Sequence, residues 1–363
     1  MTAFPRIADG TLLIYRLFDV ADDIDLAQAE ASTRGDSERL RLRGERAGYL
    51  DWPDRPLSIA LGPRTIAFED GTSLAVEAYV RLFAHGVASV RYEAPIPPST
   101  GADGLAALVG RCADDPRIEA QARREADEVC GRLSRALDTP HASDLFETYA
   151  VVLVRRLEGG GCADVQGREL ACVLLGEPTD LPLSAQTVAD VTGRRFSWTD
   201  DDLCVLDWDT AFVVEPTGDL AVAHVLEVAS AQLLEFRYYD AVFGEEILRV
   251  AAEVSRPRAG LAWLFLGRYG RVLRRVQNLV VETTEFVERV DNAVRVVGDL
   301  YLARVYRAAV ERLRIPAWQA DVEGRKSTAA QVAAMLRTEA SGTFGHVLEA
   351  TIVLLIVLEI GLA

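Results

Sequence analysis

The sequence predicts an α+β protein: a strand-rich N-terminal half, then a helical C-terminal half that contains a long helical hairpin and ends in a hydrophobic helix. Three observations carry this expectation. Short β-branched and aromatic runs, punctuated by Gly and Pro, fill the first hundred or so residues. From Asp219 onward the chain is rich in Ala, Leu and Val at helical spacing, and a heptad rhythm runs from Leu273 to Tyr301. The predicted division is a β-rich region over 1–100, an α+β region over 101–216, a helical domain over 217–340, and a tail helix over 346–363.

The elements follow in chain order. "TLLIYRLFDV" (Thr11–Val20) reads as a strand, and the acidic, Ala-rich Ala21–Ala31 reads as helical. Arg55–Pro98 carries several short strands; Ser73–Leu82 and Val87–Tyr92 flank "FAHG" and are placed as pairing neighbours. From Gly104 to Leu137 the spacing is helical, with Leu105, Leu108, Val109 and Cys112 on one face and Ile118, Val129, Leu133 and Leu137 after them. "LFETYAVVLVRRLEGGG" (Leu145–Gly161) is a strand or a buried helix ending in a glycine loop, and Asp201–Asp219 reads as two strands around "DWDT". A boundary falls near Pro216, with a long helix over Asp219–Val254 beyond it.

In the heptad stretch Leu273, Val280, Val287, Val294 and Tyr301 occupy a, while Val276, Thr283, Val290 and Val297 occupy d. The g positions Leu279, Phe286, Ala293 and Leu300 are apolar too. So wide a stripe suits a multi-helix bundle or a higher oligomer rather than a two-stranded coiled coil. An intramolecular hairpin against Ala317–Glu339, with Pro316 as the break, is compatible with either.

Composition narrows the function. A net charge of −16 opposes generic nucleic-acid binding, because phosphates repel such a surface. Five scattered cysteines without a C-x-x-C pair make no disulfide framework and point to a reducing compartment. The four histidines stand alone, without H-E-x-x-H, so no zinc site is expected. "EGRKST" (Glu323–Thr328) resembles a phosphate loop only superficially, since no strand precedes it. The carboxylates of "DWDT", Asp207 and Asp209, are read as lying on one face of a strand, where they hold a cation or form the polar side of a half-buried turn. The stretch Arg256–Arg275 carries six arginines with Trp263 and Tyr269 between them. It is either a surface for anionic lipid or RNA, or a solvated face paired with the chain's own carboxylates, and the second reading is preferred. No catalytic, cofactor-binding or metal-ligating residue is assigned, and no cofactor is expected.

Several stretches resemble the "required for meiotic nuclear division" family, catalogued as domain of unknown function 155. They are "YVRLFAHGVASVRYE" (Tyr79–Glu93), "HVLEVASAQLLEFRYYDAVF" (His224–Phe243), Val290–Lys326, and above all "LEATIVLLIVLEIG" (Leu348–Gly361). The similarity covers most of 75–363; Ala350 stands where that family often has Trp, and "SGTFG" (Ser341–Gly345) interrupts a helix that is often continuous. The resemblance implies a membrane-associated, oligomeric protein that tethers or organises, and it brings no catalytic residues.

The tail agrees with that implication. Nine uncharged residues lie between Glu349 and Glu359, and the seventeen residues from Val347 to Ala363 give roughly 25 Å of helix, slightly short of a hydrocarbon core. Tail-to-tail association would shelter both carboxylates, and the alternative buries Ile352–Leu358 under the helical hairpin of a soluble monomer. The expected function is therefore a non-enzymatic, membrane-associated oligomeric scaffold, with the bulk of the chain in the cytoplasm. Its expected partners are membrane lipid, further copies of itself and an unidentified protein, and nucleic acid is not among them. The alternative is a soluble hydrolase or a nucleotide- or metal-dependent enzyme with a site near Asp207 and Asp209.

Overall fold

The computed structural model describes residues 4–33, 37–39, 55–113, 115–255, 274–288, 300–332 and 334–335. Its framework is a nine-stranded sheet in the order β3-β4-β5-β6-β1-β8-β11-β10-β9. The strands are β1 (Arg6–Asp19), β3 (Ser37–Arg39), β4 (Leu57–Ala67), β5 (Ser73–Leu82), β6 (Val87–Pro95), β8 (Phe146–Glu158), β9 (Arg195–Phe196), β10 (Leu203–Leu206) and β11 (Thr210–Val214). All pairs are antiparallel except β8 with β11. β1 lies at the centre, bonded to β6 on one side and β8 on the other. Every residue of β1 from Leu12 to Asp19 is buried, which is why "LLIYRLF" reads as a near-continuous apolar run rather than an alternating one. The α+β order stands as expected, strands first and helices after.

One face of the sheet is apolar. Ile14, Phe18, Val80, Val90, Val152 and Phe212 pack there with α2 (Ala102–Ala113), α3 (Pro116–Arg132), α4 (Gly167–Leu175) and α5 (Ala185–Thr192). On α2 the buried residues are Ala102, Leu105, Ala106, Val109 and Cys112, which include the face the spacing predicts, with Leu108 at its margin. Arg16 of β1 is buried on this side, and its guanidinium donates to the Cys112 and Ala113 carbonyls at 2.7 Å each. A cation thus satisfies the last carbonyls of α2 at the negative end of its dipole. α3 begins with Asp115 accepting from the Arg117 amide and Pro116 in the first turn, a start set by local sequence.

The other face carries Leu13, Tyr15, Leu17, Val151, Leu153, Ala211 and Val213 in alternation with the first set. α6 (Ala221–Ser255) and α8 (Leu300–Arg312) belong with it: α6 bonds to side chains on this face, and Tyr306 of α8 donates to Gln232 of α6 at 2.6 Å. Every residue of α6 from Ala221 to Glu235 is buried.

The sequence expectation fails at one short place. Ala21–Ile24, expected as helix, is strand β2, because it pairs with β7 (Leu137–Pro140) in a separate two-stranded sheet; α1 (Leu26–Ser32) starts only after the cap at Asp25. Leu145–Gly161 resolves as strand β8, and its pairing with β1 means that residues 1–100 and 101–216 build one sheet together. The β5–β6 hairpin matches expectation, with Val80 opposite Val90 and Leu82 opposite Ala88.

The described residues fall into two compact units, one of 1–235 with 290–316 and one of 236–289 with 317–363. In the second, helix α7 runs through residues 274–288 and helix α9 through 315–332. Phe286 of α7 lies 4.9 Å from the Phe236 ring and 5.6 Å from the Tyr239 ring of α6, and Lys326 of α9 reaches Thr284 of α7 at 3.5 Å. The stripe of α7 buries Val276, Leu279, Thr283 and Phe286, its d and g positions, while Val280 and Val287 at a are half-buried. The link between α8 and α9 contains Arg314 at φ 55°, two residues ahead of Pro316, which sits in the first turn of the new helix. Heptad positions Val290, Ala293, Val294 and Val297, most of the basic stretch (256–273) and the whole tail (336–363) lie outside the described residues. Among the described residues no helix is long and apolar enough to cross a membrane.

Gly110 of α2 and Gly176, the left-handed cap of α4, touch backbone to backbone; a Cβ at Gly110 would lie 2.2 Å from the Gly176 carbonyl oxygen. Gly110→Ala should therefore cost about 1–3 kcal/mol, since the obstacle is backbone that cannot rotate away. Chemical denaturation of the variant beside the native protein measures that loss.

Candidate functional site

The strongest concentration of functional groups lies where α6 meets the polar part of the second sheet face. Strand register assembles it. Tyr15 stands opposite Arg91, Arg91 opposite Tyr79, and Arg81 opposite Ser89, all on the same face. α6 supplies His224 and Glu227, one turn apart on its sheet-facing side. The Glu227 carboxylate accepts from the Arg81 guanidinium in a fully buried ion pair. Arg91 pairs with Glu93 at 2.8 Å, donates to His224 Nε2 at 3.3 Å, and stacks over the Tyr79 ring at 4.5 Å.

Electrostatics here suppress reactivity. Burial first, then the positive charges of Arg81 and Arg91, hold His224 neutral well below the usual imidazole range. Because Arg91 can only donate, His224 Nε2 is the acceptor and the proton sits on Nδ1. Burial, reinforced by Glu227, pushes the Tyr15 hydroxyl far up. Burial also lowers the pKa of the Arg81 guanidinium, and the Glu227 charge opposes that fall. Outside the cluster all five cysteines are free thiols, and burial raises Cys112 to about 11, Cys130 to about 12 and Cys204 to about 12. None of these three is poised as a thiolate nucleophile.

A second polar group sits at the corner of β1, β2 and β7. His141 Nε2 lies 2.9 Å from the fully buried Asp19 carboxylate, and Nδ1 lies 3.5 Å from Asp22 and 3.2 Å from the Thr139 carbonyl. Burial pulls the imidazole pKa down, but the Asp19 hydrogen bond and charge, the Thr139 carbonyl and Asp22 together lift it above its ordinary value. Asp19 is itself raised, by burial, against the opposing pull of His141.

Asp207 and Asp209 part company. They occupy the turn between β10 and β11 rather than one face of a strand; Asp207 is buried and Asp209 exposed. Asp207 is ion-paired with Arg312 of α8, its carbonyl accepts from Tyr149 at 3.3 Å, and Asp209 accepts from the Thr210 hydroxyl at 3.2 Å. The "EGRKST" segment lies inside α9, where Lys326 pairs with Glu323 at 2.6 Å, so it forms no loop. Of the basic stretch, Arg275 pairs with Glu246 at 3.2 Å. Among the described residues no group of three or more His, Cys, Asp or Glu side chains could hold a metal ion. Sequence reasoning missed the Arg81–Arg91–Glu227 cluster; the available signal was charge inside otherwise apolar elements, "YVRLF", "SVRYE" and "HVLEVA".

Residues 9–220 match the family described as "Uncharacterized protein MJ0711, N-terminal domain". The chain belongs to that family. It is 25% identical over 180 residues to the uncharacterized protein MJ0711 of Methanocaldococcus jannaschii, covering 48% of this chain and 53% of that protein. The match thus spans about half the length of this curated relative. No solved structure matches. The family domain begins within β1, takes in both sheets apart from their first few residues, and ends just before α6. Tyr15, Arg81, Ser89 and Arg91 fall inside it, and their partners His224 and Glu227 fall outside.

Two outcomes follow. Glu227→Gln leaves Arg81 buried without its counter-charge and should lower stability by about 3–5 kcal/mol, whereas Arg81→Met with Glu227→Leu should lose much less than the two single changes summed. A double-mutant cycle in urea reads the difference. For His141, a raised folded-state pKa means that stability from its protonation is fully present below the ordinary value of 6.5 and fades as pH rises through the folded value. The native protein's stability advantage over His141→Gln should accordingly shrink from pH 6 to pH 9, as measured by denaturation at each pH.

Proposed function

We propose that the protein is a non-enzymatic, membrane-associated oligomeric scaffold, in which the sheet unit is a stable platform and the helical half makes the contacts. The observation that carries this reading is where unspent apolar surface lies. The most exposed large apolar side chains among the described residues are helical: Leu248 on α6 at 72%, Met335 just beyond α9 at 70%, Leu300 at the start of α8 at 68% and Val281 on α7 at 56%. Large apolar side chains left exposed on helices of the C-terminal half suit assembly rather than solvation. The apolar run between Glu349 and Glu359 supplies the membrane contact, and the resemblance of Leu348–Gly361 to the ending of the meiotic nuclear division family supports the same assignment.

An enzyme centred on Asp207 and Asp209 draws no support from the geometry, since Asp207 is occupied by Arg312 and the two carboxylates diverge. A carbonate wash of lysate membranes tests the scaffold directly. The full chain should remain in the pellet and cross-link to itself, and deletion of Val347–Ala363 should release it to the supernatant. A full-length chain found wholly in the supernatant as a single subunit would overturn the assignment.

A further inference from the structure

The cluster beneath α6 holds more hydrogen-bond donors than its own acceptors can take. Arg81 Nε–H, Arg91 Nε–H and His224 Nδ1–H are buried without a partner, and each can only donate. The buried hydroxyls of Tyr15 and Ser89 lack partners as well. Against these stands one unpartnered atom that only accepts, Glu227 Oε1; the two hydroxyl oxygens can accept as well as donate. Granting that oxygen to Arg81 Nε, in the two-pronged geometry a guanidinium favours, and letting each hydroxyl oxygen accept one bond, still leaves two hydrogens unmet. A water molecule brings as many hydrogens as lone pairs, so it relocates the surplus without removing it. A species that only accepts removes it.

Position and charge agree with this. Tyr15, Arg91, Arg81 and Ser89 share adjacent rows of one sheet face, and His224 and Glu227 descend on them from the first two turns of α6, whose N-terminal end adds positive potential. Two guanidinium charges face one buried carboxylate, Glu227; Glu93, the other acid, is a quarter exposed at the rim. Arg91 therefore meets its counter-charge only at the rim, and the buried centre of the cluster keeps a positive potential. All six side chains are more than nine-tenths buried, so the occupant is compact and fully dehydrated.

We propose that this cluster is a binding site for a small monovalent anion of halide size, held by Arg81, Arg91, Ser89, Tyr15 and His224. The anion ties α6 to β1, β5 and β6 and completes the hydrogen bonding that the ion pair alone leaves open. Full burial of every ligating side chain disfavours a phosphate ester or nucleotide. The proposal does not depend on the membrane assignment.

The test uses the full chain, purified and exchanged into sodium gluconate, then titrated with sodium bromide at constant ionic strength. Thermal unfolding should shift upward by about 3–5 °C and saturate, as binding to the folded state alone requires. Ser89→Ala, which removes one small hydroxyl, should raise the half-saturating bromide concentration about tenfold. Crystals soaked in bromide should show an anomalous peak between Arg81, Arg91 and Ser89, a readout independent of any variant's folding. An unfolding temperature that follows ionic strength alone, an unchanged midpoint in Ser89→Ala, or a cluster containing only water would each overturn the proposal. Stabilisation by phosphate with no bromide peak would overturn it as well.

Discussion

The pairing of Arg81 with Glu227 is the interaction on which the second half of the architecture depends. A sheet buried on both faces normally presents apolar side chains to both layers, and the face toward α2, α3 and α4 does so. The opposite face instead puts two guanidiniums and two hydroxyls into its centre. Only a covering helix with a carboxylate at the right turn can lie there without a large desolvation penalty. α6 meets that demand with Glu227, and with His224 one turn earlier. A buried pair adds little net stability over a hydrophobic equivalent, so its contribution is to fix which helix covers the face, and in which rotation about its own axis.

The same logic explains why the sheet's two faces differ in legibility. The β5–β6 hairpin, the apolar stripe of α2 and the heptad stripe of α7 are all encoded by neighbours a few residues apart, and periodicity finds them. Arg81 and Glu227 lie 146 residues apart, and no local pattern pairs them. "YVRLF" and "HVLEVA" look like ordinary elements interrupted by one charge each; only the topology shows that the interruptions meet. Ala21–Ile24 misled for a related reason. Its Ala and Asp content favours helix, but its partner, Leu137–Pro140, is more than a hundred residues away and decides the matter.

Asp207 and Asp209 show the limit of reading a carboxylate pair from spacing. Two residues apart on a strand, they would share a face; in a tight turn that relation is lost. The turn arises because β10 and β11 form a hairpin with only three residues between them, and Arg312, 105 residues onward, then claims Asp207. The gap between a metal-site motif and a structural ion pair was set by one helix that arrives late in the chain.

The electrostatic setting of the buried groups bears on what kind of protein this is. Catalytic sites move pKa values toward the working pH, so that a base is unprotonated yet basic and a nucleophile is ionised. Here the movement is outward. His224 is driven neutral and spends its lone pair on Arg91; Tyr15 is driven away from ionisation, as are the thiols of Cys112, Cys130 and Cys204. His141 is lifted toward its charged form by Asp19 and Asp22 at its two nitrogens. Burial thus drives His224, Tyr15 and these thiols toward their neutral forms, while carboxylates draw His141 toward its charged one.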